Sequence, residues 1–101
     1  MLLVSLSETI KIPLESKNSS LVPTAADSLP TYSIRDGAGL DSGTNIATGT
    51  TAAISGVTGG YRLSHAITSG NGFAVNTVYH VIFSWAVGGA NRSRIETFLV
   101  T

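Results

Sequence analysis

The stretch that decides the fold is residues 78–87, VYHVIFSWAV, which is followed by Gly88-Gly89 and by residues 91–100, NRSRIETFLV. In the first run, large apolar and aromatic side chains recur at every second position, and this period of two predicts a β-strand. A Gly-Gly pair between two such runs favours a two-residue hairpin turn. The sequence therefore predicts an antiparallel hairpin near the end of the chain.

The first strand of this hairpin is apolar on both of its faces. Phe83 and Trp85 alternate onto one face, and Ile82 and Ala86 lie on the other. Strands that are apolar on both faces are usually central in a sheet, or have one face against a partner. Both interpretations stay open for residues 78–87, and in either case we expect Ile82 to lie on the face away from the core.

Similar alternation marks the earlier strands. Residues 9–15, 29–36 and 61–67 alternate, whereas residues 44–54 are rich in Thr and Ala and are interpreted as one weakly patterned strand. Pro13 cannot donate a ladder hydrogen bond, so its strand is predicted at a sheet edge. Clusters of Gly, Asn, Asp and Ser separate these runs and predict turns.

No segment has a helical period, so the predicted fold is all-β. We expect an antiparallel two-sheet immunoglobulin-like sandwich of six to seven strands in residues 8–101, with residues 1–7 as an N-terminal arm or short strand. A small closed barrel is the alternative architecture. The predicted core residues are Ile10, Ile12, Tyr32, Ile34, Leu63, Val81, Phe83 and Trp85.

Tyr79 stands near the start of the strongest strand, just after a Gly72-Phe73 turn. This placement fits a tyrosine corner, in which the phenol bonds to backbone a few residues upstream. An ordinary core tyrosine is the other interpretation of the same residue.

Composition excludes several functional classes. The 101 residues suffice for one domain, and six basic and six acidic residues give no net charge that would attract nucleic acid. The chain has no Cys, which excludes disulfides and thiolate-based metal sites. No apolar run is long enough to span a membrane, so no membrane association is predicted.

No pattern of catalytic residues is recognisable. His65 and His80 have no Gly-x-Ser-x-Gly elbow to work with, and both are interpreted as structural. Asp36 and Asp41 are interpreted as turn formers, because two carboxylates supply too few oxygens for calcium. We therefore expect no enzyme activity, no metal and no cofactor.

An apolar N-terminus suggests protein contacts. Leu2, Leu3, Val4 and Leu6 cannot all enter one small core and still leave a solvated face. Together with Ile82, they are the predicted interface residues. The expected partner at this surface is a further copy of the chain, in a homo-oligomer.

Three soft motifs in combination carry a family resemblance: Pro30-Thr31 opening one strand, Gly60-Tyr61 opening another, and the Gly-Phe turn leading to Tyr79. Read over residues 8–101, the chain resembles small virion structural proteins of tailed bacteriophages with immunoglobulin-like or transthyretin-like β-sandwiches. The resemblance implies a non-enzymatic virion protein, such as a capsid decoration or cement protein or a neck or tail accessory. It implies a capsid or tail protein as partner.

A glycan-binding module of a phage tail is the alternative function. Such a module would use exposed aromatic rings, for which Trp85 and Tyr61 are the candidates. Burial of both rings favours the structural role, and their pairing on the surface favours the glycan role.

Overall fold

The structure is a computed structural model that describes residues 1–37 and 43–101. Within these residues the chain forms eight β-strands, one short 3-10 turn at Ser69–Asn71 and no α-helix. The strands are β1 Leu2–Val4, β2 Thr9–Glu15, β3 Thr31–Arg35, β4 Asn45–Thr50, β5 Ala52–Ala53, β6 Gly60–Ala66, β7 Thr77–Val87 and β8 Ala90–Val100. The all-β prediction is confirmed, with more strands than the expected six to seven.

The strands form two sheets. The larger has the order β1-β8-β7-β3-β4, and the smaller has the order β2-β6-β5. The edge position predicted for the strand that contains Pro13 is confirmed, and β7 is the central strand of the larger sheet.

Strand β1 corrects the expectation of purely antiparallel pairing, because it runs parallel to β8. Two backbone bonds continue this contact beyond the strand. The Thr101 amide donates to the Val4 carbonyl at 2.9 Å, and the Leu6 amide donates to the Thr101 carbonyl at 3.2 Å. Of the two forms predicted for residues 1–7, the segment takes the short-strand form.

The β7–β8 hairpin is paired over its whole length, from Thr77 opposite Val100 to Val87 opposite Ala90. Gly88 and Gly89 both have positive φ, 57° and 80°. That geometry matches the right-handed twist of a two-residue hairpin and favours glycine at both positions.

Asp27, which lies outside the hairpin in sequence, binds the backbone of the hairpin turn. Its carboxylate accepts the amides of Gly88 at 2.9 Å and Gly89 at 2.8 Å. Its own amide donates to the Ala86 carbonyl at 2.8 Å. The connection between β2 and β3 is thereby fixed to the end of the hairpin.

The interpretation of residues 44–54 as one strand is wrong. The chain leaves the larger sheet after β4 and enters the smaller one at β5, with Thr51 between them. Thr51 is buried, and both its amide and its hydroxyl donate to the Pro30 carbonyl at 2.9 Å. These bonds satisfy both hydrogen-bond donors of Thr51 at the crossing point.

Both sheets contribute to one core. Its buried members are Val4, Ile10, Ile12, Leu14, Tyr32, Ile34, Tyr61, Leu63, Ile67, Phe73, Tyr79, Val81, Phe83, Phe98 and Val100. All predicted core residues are among them except Trp85, which is half-buried and packs against the cluster. Strands β7 and β8 have 11 residues each, whereas β2 and β6 have 7, so the hairpin is longer than the strands of the other sheet. Trp85 lies near its turn.

One polar contact joins the sheets through the core. The Tyr32 hydroxyl lies 3.1 Å from Nδ1 of His65, so a β3 residue is hydrogen-bonded to a β6 residue. Gly49 is opposite Tyr32 in the register, and a Cβ there would lie 2.4 Å from the Tyr32 hydroxyl oxygen. The absence of a side chain at Gly49 therefore leaves the space that the phenol needs.

The back-bond predicted for Tyr79 is confirmed. Its hydroxyl accepts the Ala74 amide at 2.8 Å. The buried ring stacks on Phe98, with centroids 5.4 Å apart, and meets Phe73 edge-on at 4.9 Å.

Replacing Phe83, which is fully buried, tests the assignment of the inward face of β7. Phe83→Ala should lower the free energy of unfolding by about 3–5 kcal/mol, because it removes a large apolar side chain and leaves a cavity. Urea denaturation measures this, with Val75→Ala, at a position that is 49% exposed, as the control. The control should stay within about 0.5 kcal/mol of the parent. A loss below 1 kcal/mol for Phe83→Ala would contradict the assignment.

Protonation of His65 should weaken the fold. Burial lowers the pKa of His65 below the usual histidine value of about 6.5. Just below that pH the unfolded chain therefore binds more protons than the folded one. Stability should therefore fall as pH falls through about 6.5. Urea midpoints between pH 7.5 and 5.5 measure this fall, which should be smaller in His65→Gln and remain in Tyr32→Phe. An equal fall in His65→Gln and the parent would refute the role of His65.

Candidate interaction surface

The outer face of the five-stranded sheet carries an apolar patch, defined as Leu3, Val78, Ile82, Ile95 and Leu99. The register brings these residues together: Leu3 is beside Leu99, Leu99 is opposite Val78, and Ile95 is opposite Ile82. Leu3 is 69% exposed and Ile95 is 48% exposed, while the other three are half-buried. The patch thus combines two exposed side chains with three half-buried ones.

Two of the five predicted interface residues, Leu3 and Ile82, lie in this patch. Leu2 is 43% exposed and alternates to the opposite side of β1 from Leu3. Val4 is 7% exposed within the core of its own chain, and Leu6 packs against that core. The idea that the whole apolar N-terminus is free for a partner is therefore corrected: β1 pairing turns Val4 inward.

Val78, Ile95 and Leu99 were not among the predicted interface residues. The signal for two of them is the alternation of β8, in which Ile95 and Leu99 oppose Phe98 and Val100. Only the register shows that they adjoin Leu3 and Ile82 on one continuous surface.

A polar row crosses the patch between its two apolar pairs. Nδ1 of His80 lies 3.2 Å from the Thr97 hydroxyl directly across the strands. Arg35 is the next residue in the row, opposite His80, and its Nε donates to the Asn45 side chain at 2.9 Å. No Asp or Glu occupies an outward-facing position of the five strands as the structure describes them. A partner could therefore cover this face without burying a carboxylate of the described strands.

The other half of this face is rich in hydroxyl groups. Thr31, Ser33, Thr48, Thr50 and Ser84 line a shallow groove of about 390 Å³ over β3 and β4. A second groove of about 540 Å³ adjoins it at Thr31 and Ser84 and extends to the first residues of β8. Together the two grooves give this half shallow relief and a high content of hydroxyl groups.

The dimensions of the face limit what it can bind. The five strands have 3, 11, 11, 5 and 6 residues, and at about 3.4 Å per residue and about 4.8 Å per strand they give a projected area on the order of 600 Å². A stable protein interface takes roughly 800 Å² from each partner. A stable contact would thus use the whole face, and the patch and the hydroxyl half would both be covered.

Tyr61 and Trp85 do not form an exposed aromatic pair. Tyr61 is 6% exposed, and its hydroxyl accepts the Ala26 amide at 2.9 Å. Trp85 is half-buried, and its indole nitrogen is buried without a hydrogen-bond partner among the described residues. A sugar site built on both rings therefore has no counterpart at these positions.

The remaining candidate residues are separated from one another. His65 bonds to Tyr32 and His80 to Thr97, and the Asp36 carboxylate accepts the Thr44 amide at 3.0 Å. Asp41 lies outside the described residues. In residues 1–37 and 43–101, no group of three or more His, Asp or Glu side chains could hold a metal ion. Nor does this part of the chain contain a helix that is long and apolar enough to cross a membrane.

Comparison with known proteins gives no family for the chain. No protein-family model matches it, and no curated protein matches it with significant similarity. Function is inferred below from the geometry of the surfaces and from the resemblance described above.

Proposed function

We propose that the two sheets pack face to face as an immunoglobulin-like sandwich. The strand order supports this: β8, β7, β3 and β4 take the places of strands G, F, C and C′, and β2, β6 and β5 take those of B, E and D. The back-bond of Tyr79 at the start of β7 is also the bond expected of a tyrosine corner at the start of strand F.

On this scaffold, we propose a non-enzymatic structural role through protein–protein contacts. The observation that carries the proposal is the outer face of the five-stranded sheet, where the apolar patch is exposed and outward carboxylates are missing from the described strands. Exposed apolar surface of this kind marks sites of protein association. The resemblance to tailed-phage virion proteins supplies the context: capsid decoration, cement, or a neck or tail accessory, with localisation in the virion.

The proposed partner of this face is a second copy of the chain, and the homo-oligomer then contacts a capsid or tail protein. The chain has no net charge, so copies do not repel one another strongly. Burial of the apolar patch supplies the attraction, whereas the row through His80 and Thr97 sets the register of the contact.

A glycan-binding module of a phage tail is the second candidate. The groove of about 540 Å³, which Ser28, Thr31, Ser84 and Ser93 help to line, is the observation that favours it. Burial of Tyr61 removes one of its two candidate stacking rings. The protein-contact proposal is therefore preferred.

Charged residues placed in the patch test the proposed association. Leu3→Lys and Ile95→Lys change exposed positions, so the fold should be retained while the apolar contact is lost. Sedimentation over a range of concentrations should show an oligomer for the parent and at least tenfold weaker association for each variant. Val75→Lys is the matched control, because Val75 is 49% exposed and lies outside the patch; it should associate like the parent.

A parent chain that stays monomeric at every concentration would contradict the self-association. Equal weakening by Val75→Lys would show that the patch is not the contact. The virion assignment has a separate test, which is detection of the chain by mass spectrometry in purified particles of the phage that encodes it. Its absence from those particles would refute that assignment.

A further inference from the structure

A second surface lies at the turn end of the β7–β8 hairpin. We propose that this surface, here called the loop-end cleft, binds an acidic segment of a partner protein. The cleft has a volume of about 460 Å³, and its lining includes Glu15, Lys17, Asn18, Leu21, Trp85 and Arg92. Trp85 and Arg92 alternate to the inward side of the hairpin, so the cleft is separate from the apolar patch on the outer side.

Arg92 is the cation in the cleft whose charge is not compensated. Nζ of Lys17 lies 3.6 Å from a carboxylate oxygen of Glu15, so those two charges offset each other. Arg92 is half-buried as a residue, and its guanidinium has no ion pair and no hydrogen bond in the described part of the chain. A guanidinium favours a carboxylate, which can accept two parallel hydrogen bonds from it.

Trp85 adds a second donor that lacks an acceptor. It is directly across the strand pair from Arg92, and its indole N–H is buried with no partner in residues 1–37 and 43–101. A buried donor without an acceptor costs free energy, which a ligand with acceptor oxygens can recover once the ring adjusts to it. Both unsatisfied donors belong to residues that line the same cleft.

The rim of the cleft includes the exposed apolar side chain of Leu21, which favours a peptide over a sugar. Leu21 is 76% exposed and its neighbour Val22 is 53% exposed. Leu21 has a φ of 62°, a left-handed conformation that is strained for a leucine. A ligand that contacts both Leu21 and Arg92 would carry an apolar group next to a carboxylate. A peptide has this arrangement where Asp or Glu follows Leu or Val.

Hydrogen bonds hold the rim in this conformation. The Asn18 side-chain oxygen accepts the amides of Ser20 at 2.9 Å and Val22 at 3.1 Å. The Asn18 amide donates to the Val22 carbonyl at 3.0 Å. The exposed leucine is therefore presented by a preformed loop, which reduces the ordering cost of binding.

Trp85 is the only tryptophan of the chain, so its fluorescence reports on the cleft directly. The probe is the capped pentapeptide Leu-Glu-Leu-Glu-Leu, and the matched peptide has Gln in place of Glu. The acidic peptide should change the emission saturably and bind at least tenfold more tightly than the Gln peptide. Affinity should also fall as salt increases.

Variants locate the binding site. Arg92→Gln should weaken binding of the acidic peptide at least tenfold, whereas Lys11→Gln, which removes an equal charge at an exposed position outside the cleft, should change it less than threefold. Thermal melting checks that both variants are folded. Ile95→Lys should leave peptide binding unchanged, so this site and the apolar patch are tested independently.

Equal binding of the acidic and Gln peptides, or unchanged affinity in Arg92→Gln, would overturn the proposal. An oligogalacturonate supplies carboxylates on a sugar and forms the third arm of the titration. If it changes the emission saturably and the acidic peptide does not, the cleft is a saccharide site and the partner proposed here is wrong.

Discussion

The eleven-residue pairing of β7 with β8 is the constraint on which the rest of the structure depends. Side chains in a strand alternate between two faces, so this hairpin assigns every residue from Thr77 to Val100 outside its turn to one side or the other. Its inward side supplies Tyr79, Val81, Phe83, Phe98 and Val100 to the core. Its outward side supplies most of the apolar patch. β1 and β3 then pair with its two long edges and extend both surfaces.

The length of the hairpin also explains the second surface. The smaller sheet has strands of at most 7 residues, so it matches only part of the 11 residues of β7 and β8. Beyond Phe83 the inward positions carry a half-buried Trp85 and, directly across from it, Arg92 instead of core residues, while Arg94 lies opposite Phe83. Arg94 is held by the Pro13 carbonyl and by Glu96. Arg92 has no such partner in the described residues, and this difference between two neighbouring arginines makes the loop-end cleft a binding candidate.

Period-two patterning predicted most of the fold because it reports local geometry. The bounds of residues 9–15 follow from it directly, and the proline within that run predicted the edge position of the strand. The break at Thr51 and the half-exposure of Trp85 could not be predicted in this way, since they depend on which sheet a segment joins and how far it extends. For the candidate surface, alternation identified Ile82, but only the parallel pairing of β1 with β8 shows that Leu3 joins it while Val4 is buried.

The central claim is that the outer face of the hairpin is the contact between copies. Methyl NMR with a soluble paramagnetic agent tests it on the unmodified protein. As concentration rises and the mass increases, the methyl groups of Leu3, Ile82 and Ile95 should become protected from paramagnetic broadening, while those of Val57 and Val75 should remain broadened. An increase in mass without protection of the patch, or with protection of Val57 and Val75 instead, would contradict the account.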